Sequence, residues 1–326
     1  MKAPFIIGEL SANHGGTLER ALQIVDAAAE IGADAVKIQV WDTLVQDTGY
    51  VLETGPWAGR RLSDLYAEAK TPWEWVKPIF ERCQAKGMIG FASVFDVASL
   101  EFLELLHCPI YKVASFEITD LALIRAIASK GKPMMISTGM TTEDEISDAI
   151  RAAGNCPVTL LKCTSAYPAD ASDANLATLT DLSLHYGETG ISDHTPGIGV
   201  AVAAVALGAT VVEKHLTLRR SDGGPDSEFS LEPSEFAQLV TECRRAAASI
   251  GVERYGPSLS EMPQYALRRS LYVAKTIQKG EPITTLNVRS ARPCKGLPPG
   301  KLPELLGRTL NRMVPRGTPL TPDLLD

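Results

Sequence analysis

The chain has 326 residues, 45% hydrophobic and 22% charged, with a net charge of −7 and a mean hydropathy near zero. This is the composition of a soluble globular protein long enough for one large core and a smaller one. It lacks the basic stripe that nucleic-acid binders use to neutralise phosphates, although a few lysines focused in a cleft can still hold a small anion.

The N-terminal MKAPFIIGELSANHGG turns polar after about seven residues, too early for the apolar region of a signal peptide. PFIIGEL reads as a strand, and TLERALQIVDAAAEIG follows with Leu18, Leu22, Val25 and Ala29 at helical spacing. ADAVKIQV is a second buried strand, and an insertion occupies residues 42–70. Thereafter helical and apolar runs alternate: TPWEWVKPIFERCQAKG with MIGFASVF, VASLEFLELLH with PIYKVAS, DLALIRAIASKG with PMMISTG, TTEDEISDAIRAAG with PVTLLKCTS. Residues 175–187 precede TGISDHT, GIGVAVAAVALGA precedes TVVEKHL, and EPSEFAQLVTECRRAAAS closes the series. Eight strand-then-helix units in about 250 residues predict an α/β protein, a (β/α)8 TIM barrel. A doubly wound open sheet usually has fewer units, and no G-x-G-x-x-G follows the first strand.

The barrel is expected over residues 1–250, a linker over 251–266 and a small β-rich domain over 267–326. The small domain carries an internal repeat. IQKGEPITTLNV (277–288) and VPRGTPLTPDLL (314–325) share a basic-Gly-x-Pro-[Ile/Leu]-Thr core, which predicts approximate two-fold symmetry. The cysteines 83, 108, 156, 163, 243 and 294 show no CxxC or other metal-type spacing. They are expected to be reduced thiols in a cytoplasmic protein. No uncharged apolar stretch of about 20 residues is present, so no membrane span is expected.

In a parallel barrel the chemistry sits at the C-terminal strand ends. Those ends here offer Glu9, Asn13 and His14; Lys37 and Gln39; Ser93 and Phe95; Lys112, Ser115 and Glu117; and Ser137. Later strands add Lys162, Ser165 and Tyr167; Ser192, Asp193 and His194; and Glu213 with His215. Taken singly, a lysine that snorkels or a satisfied core histidine explains each. Together, ionisable groups inside a closed barrel need partners or a ligand. His194 and His215, on adjacent strands, could share a divalent metal with a carboxylate such as Asp226 or Glu9, and mixed N/O ligation suits Mn²⁺ or Mg²⁺. Lys37 and Lys112, with Ser115, Ser137 and Ser192, make a cradle for phosphate and carboxylate. Lys214, on the opposite parity, is expected to pair with a helix carboxylate.

The motifs GELSANHGG, VKIQ, YKVASFEITD, ISTGM, LLKCTSAYP, ISDHT, EKHLTL and GPDSEFSLEP resemble the sialic acid synthase family over almost the whole chain. RRSLYVAKTIQKGEPIT and VRSARP extend the likeness into an antifreeze-like (SAF) C-terminal domain. WAGRRLSDLYAEAKTPWEW and Ser165 in CTSAYP, where neuraminate enzymes usually have Asn, place it nearest the pseudaminic acid synthase branch.

The resemblance implies a transferase that condenses phosphoenolpyruvate with an open-chain N-acetylated amino sugar, here 2,4-diacetamido-2,4,6-trideoxy-L-altrose. It implies a divalent metal on His194 and His215, Mn²⁺ before Mg²⁺ or Co²⁺, with Asp226 as a further ligand or a loop brace. Lys37, Lys112, Ser115, Ser137 and Ser192 would bind phosphoenolpyruvate, and Glu9 would orient water or move its proton. Gln39, Phe95, Glu117, Ser165 and Tyr167 would contact the sugar or position the ligands. Arg292 would reach the neighbouring subunit's site, giving a homodimer with exchanged small domains. Val40, where relatives often carry Thr, and Val94, where Pro is common, depart from the family pattern on the sugar side. The rival expectations are a neuraminate or legionaminate synthase using an N-acetylmannosamine-type sugar, another phosphoenolpyruvate-dependent barrel aldolase, and a non-catalytic carbohydrate-binding accessory protein.

Overall fold

The computed structural model describes residues 2–42 and 48–326; residue 1 and the 43–47 stretch of the expected insertion lie outside them. Eight parallel strands close into a barrel in chain order: β1 (Phe5–Glu9), β2 (Ala35–Val40), β3 (Ile89–Val94), β4 (Tyr111–Val113), β5 (Met134–Ser137), β6 (Val158–Cys163), β7 (Thr189–Asp193) and β8 (Val211–His215). β1 pairs with both β2 and β8, so no sheet edge is left open. Their residues are almost all buried because a barrel strand is covered on both faces, by the barrel interior and by helices.

The helices between strands are α1 (Leu18–Glu30), α2 (Leu62–Ala69), α3 (Trp73–Ala85), α4 (Val97–Leu105), α5 (Leu121–Ala128), α6 (Glu143–Ala153), α7 (Ala177–Tyr186) and α8 (Gly199–Ala206); α9 (Pro233–Ile250) follows β8. α1 buries Ala21, Ile24, Val25 and Ala28, with Leu18, Leu22 and Ala29 on the flanks of that face. The face is therefore rotated by about one residue from the spacing read in the sequence, because small alanines let α1 lie close to the sheet. Several polar residues after strand ends are helix caps. Asp96, Asp120 and Thr142 accept from the backbone N–H of Ser99, Leu123 and Glu145.

The insertion is partly ordered secondary structure: Val51 bridges Arg61, which folds residues 50–62 into a short hairpin leading into α2. Gly190 marks a close approach of two barrel strands, since a Cβ there would stand 2.5 Å from Val211 O. Among the described residues no helix is long and apolar enough to cross a membrane.

Residues Met1–Gly251 form one compact unit and Val252–Asp326 a second. The stretch expected as linker contains a short helix, α10 (Met262–Tyr265). The small unit pairs β9 (Ser270–Val273) antiparallel with β10 (Val288–Ala291), and α11 (Leu302–Leu305) follows. Its repeat is a true internal two-fold. Ile277 and Val314 exchange backbone hydrogen bonds of 3.0 and 2.9 Å across the axis. Gly280 N–H donates to Leu310 O as its repeat mate Gly317 donates to Val273 O. The Val273–Val288 pair recurs as Leu310–Leu325. Leu271, Ile277, Ile283, Leu310, Val314 and Leu320 form the core of this unit.

Lys214 points out of the barrel and is buried, but its partner is a strand carboxylate, not a helix one. Its Nζ lies 2.7 Å from Asp193 Oδ2 and 2.6 Å from Thr195 O. The pair ties β8 to the end of β7, on either side of His194. Breaking a buried pair leaves an uncompensated charge, so Lys214→Ala should cost about 3–5 kcal/mol, read as a lowered urea midpoint. The double replacement Lys214→Met with Asp193→Leu should recover much of that loss.

Candidate active site

The C-terminal strand ends converge on a cavity of about 260 Å³. Strand register sets polar residues of neighbouring strands side by side: Glu9 is level with Lys37 and His215, Ser93 with Lys112, and Ser192 with Glu213. Lys37 Nζ sits 2.8 Å from Glu9 Oε2, 2.8 Å from Ser93 Oγ and 3.5 Å from Glu213 Oε1. Ser192 Oγ donates to Glu213 Oε1 at 2.9 Å. Lys37, Glu9 and Glu213 are each at most 5% exposed as residues. Burial weakens the Lys37 charge, but Glu213 and Glu9 outweigh it and raise the pKa.

The two carboxylates separate. Burial, opposed by Lys37, lifts Glu9 to about 7. Burial would lift Glu213 too, but Lys37, Lys112 and the Ser192 hydroxyl hold it below the ordinary value. Two acids with divergent proton affinities suit one to move a proton and the other to stay charged.

Lys112 differs from Lys37. It is 1% exposed and donates to Ser137 Oγ at 2.7 Å and Val113 O at 3.0 Å. Among the described residues no carboxylate lies within ion-pair distance of it. Burial accordingly lowers its pKa. Beside it, Gly139 N–H donates to Ser115 Oγ at 3.1 Å. A Cβ on Gly139 would collide with Ser115 and Ser165, standing 2.8 and 2.1 Å from their Oγ atoms.

His194 and His215 face one another with ring centroids 5.4 Å apart. His194 Nδ1 donates to Thr164 O at 2.9 Å, and although burial opposes its charge, Cys163 and the Thr164 carbonyl raise its pKa. His215 Nδ1 is buried with no hydrogen-bond partner among the described residues, and burial, followed by His194 and Lys37, pushes its pKa well down. Two facing imidazoles fit a divalent metal, which each would bind in its neutral form. Among the described residues, however, no three His, Cys, Asp or Glu side chains are arranged as a ligand group. Asp226 is engaged elsewhere: its Oδ2 accepts from Ser11 Oγ at 2.5 Å and Ala12 N–H at 3.1 Å, and Gln39 Nε2 donates to the same Ser11 at 2.7 Å. Further metal positions would fall to water or ligand oxygens.

Tyr167 packs on His194 with centroids 4.3 Å apart, and Phe95 lines the rim. Glu117 and Ser165 stand just outside the lining; burial lifts Glu117 to about 7, and Ser165 Oγ is 3.7 Å from Cys163 Sγ. His14, held by Ala69 O and Trp75, and Lys162, donating to Cys163 O, do not line the cavity. Arg292 follows β10 in the small unit and is exposed. Glu213, Ser11 and Cys163 also line the cavity without having been given a role from sequence. For Glu213 the signal was its shared parity with His215.

The matches to known proteins follow this geometry. The model of the NeuB family matches residues 24–255, and that of the SAF domain matches 268–326. The chain belongs to the NeuB family. Over 328 aligned residues it is 41% identical to the pseudaminic acid synthase of Campylobacter jejuni, covering 98% of this chain and 96% of that one. It is 34% identical to the N,N'-diacetyllegionaminic acid synthase of the same species, covering 94% and 96%. Among solved structures, the N-acetylneuraminic acid synthetase of Leptospira borgpetersenii aligns with a TM-score of 0.73 at 34% identity, covering 81% of this chain and 90% of that one. NeuB-family membership makes this chain an enzyme of the sialic-acid-synthase type.

Glu9 carries a pH signature. Its folded pKa of about 7 lies above the unfolded 4.5, so the folded state holds the extra proton between these values. Its contribution to stability is present below pH 4.5 and is lost as pH rises through 7, on the order of 3 kcal/mol in total. Urea unfolding at pH 5, 6, 7 and 8 should show wild type losing stability relative to Glu9→Gln across that window. A constant difference would mean that Glu9 titrates normally.

Proposed function

We propose that this enzyme condenses phosphoenolpyruvate with 2,4-diacetamido-2,4,6-trideoxy-L-altrose, releasing phosphate by C–O cleavage as a transferase. The observation that carries the reading is Lys112: a buried ammonium with only neutral acceptors calls for an anionic ligand. The higher identity to the pseudaminic relative than to the legionaminic one favours the altrose acceptor over an N-acetylmannosamine-type sugar.

In this reading Lys112 and Lys37 hold the phosphate and carboxylate with Ser115, Ser137 and Ser192. C3 of phosphoenolpyruvate forms a bond to the aldehyde carbon of the sugar, whose oxygen takes a proton from solvent. Water adds to C2 and gives one proton to Glu9, and the C2–O bond breaks as the new hydroxyl becomes the ketone and its proton leaves with the phosphate. Glu213 stays ionised and fixes Lys37. A divalent metal on His194 and His215, Mn²⁺ by preference, would polarise the aldehyde oxygen as a Lewis acid. Gln39, Phe95 and Tyr167 would position the sugar, with Glu117 and Ser165 behind them.

Arg292 is assigned to the site of a neighbouring subunit in a homodimer. The exposure of Val252, Tyr255 and Leu259 supports a surface covered by a second copy. The cytoplasm, where phosphoenolpyruvate is made, is the proposed location.

Phosphate release from phosphoenolpyruvate with Mn²⁺ should require the altrose derivative, stop with EDTA, and be absent with N-acetylmannosamine; the opposite acceptor preference would move the enzyme to the sialic branch. Lys112→Met should raise the KM for phosphoenolpyruvate by about 10–150-fold, the worth of one charge-assisted contact. Mixing inactive Arg292→Ala and Glu9→Gln subunits should restore activity, because each mixed dimer would hold one intact barrel served by an intact arginine. No recovery, with exchange of subunits demonstrated, would place Arg292 on its own barrel or outside catalysis.

A further inference from the structure

Above its charged floor the cavity changes character. One wall comes from the segment after β2, where Leu52, Trp57, Leu62, Leu65 and Tyr66 line the space. Trp57 is fixed from two sides. Its indole N–H donates to Pro225 O at 2.7 Å, and its ring packs against Tyr167 and Phe229 with centroids 5.3 and 6.0 Å apart. The indole has one donor and no acceptor, and that donor is used by Pro225. Trp57 therefore offers a ligand only its carbon surface. A hydroxyl placed there would give up water and gain nothing from the indole, whereas a methyl group would be stabilised by burial.

The chemistry gives the wall an occupant. The aldehyde carbon of the acceptor must meet phosphoenolpyruvate beside Lys37 and Lys112, so the other end of the open chain extends up from the floor. Trp57 and Leu52 are half-buried, whereas the floor lysines are fully buried, which places this wall at the outer end of the same space. We propose that Trp57, braced by Pro225, is the specificity-determining residue of an apolar subsite that takes the methyl-bearing C6 end of a 6-deoxy acceptor sugar. The inference rests on the condensation proposed above and adds the residue that selects its acceptor.

Four acceptors separate the two. They are the diacetamido-altrose and its 6-hydroxy counterpart, and N-acetylmannosamine and its 6-deoxy counterpart, each assayed by phosphate release with Mn²⁺. In whichever pair reacts, the full-length enzyme should favour the deoxy member in kcat/KM by at least ~10-fold. Trp57→Ala should reduce that ratio below about 3-fold by raising KM for the deoxy sugar, with the KM for phosphoenolpyruvate unchanged. Trp57→Phe should keep most of the preference. An unchanged ratio in Trp57→Ala, or an equal loss on both members of a pair, would overturn the subsite. Turnover of the mannose pair alone, with a Trp57-dependent deoxy preference, would overturn the altrose reading and leave the subsite standing. Turnover of none of the four would overturn both.

Discussion

Two ammonium groups buried at one end of a closed barrel govern the rest of this site. Lys37 on β2 is compensated within the protein by Glu9 from the adjacent β1 and by Glu213 from β8 beyond it. Among the described residues Lys112 has only a hydroxyl and a carbonyl. Low dielectric strengthens the first arrangement and makes the second costly until an anion arrives. The same two charges separate the carboxylates: Lys37, Lys112 and the Ser192 hydroxyl together keep Glu213 ionised, and its negative charge adds to burial in holding the proton on Glu9. An anion-binding floor and a proton-moving acid are thus two results of one electrostatic arrangement.

The barrel was legible because its strands are covered on both faces and so appear as short continuous apolar runs between helical ones. The site was legible by parity: Lys37 with Gln39, and Glu213 with His215, are two apart and share the inward face. What single-chain spacing hides is which distant groups meet. Nothing local distinguishes the paired Lys37 from the unpaired Lys112. Asp226 reads from sequence as a metal ligand or a loop brace, and its bonds to Ser11 and the Ala12 N–H come from the return of the β8 loop to the turn after β1, which no local spacing announces. Lys214 has the parity of a helix-facing residue, yet β7 supplies a nearer carboxylate than any helix does.

The small unit shows the reverse case, where sequence carried three-dimensional information because it repeats. A two-fold makes each backbone hydrogen bond occur twice, so glycines and prolines needed at one turn are needed at its mate. The 37-residue offset between Gly280 and Gly317 is the same offset that relates Val273 to Leu310 and Val288 to Leu325.

The hydrogen bond from Trp57 to Pro225 joins the segment after β2 to the loop after β8, across the mouth that lies between them. Lys112 lines the same cavity and is fully buried. A molecule bound at the rim therefore stands in the path of anything bound for the floor, and the cavity behaves as a cul-de-sac filled from the bottom. In the proposed condensation this shape would impose a sequence: the anion would enter first, the acceptor second, and whatever occupied the rim would leave before the floor could empty.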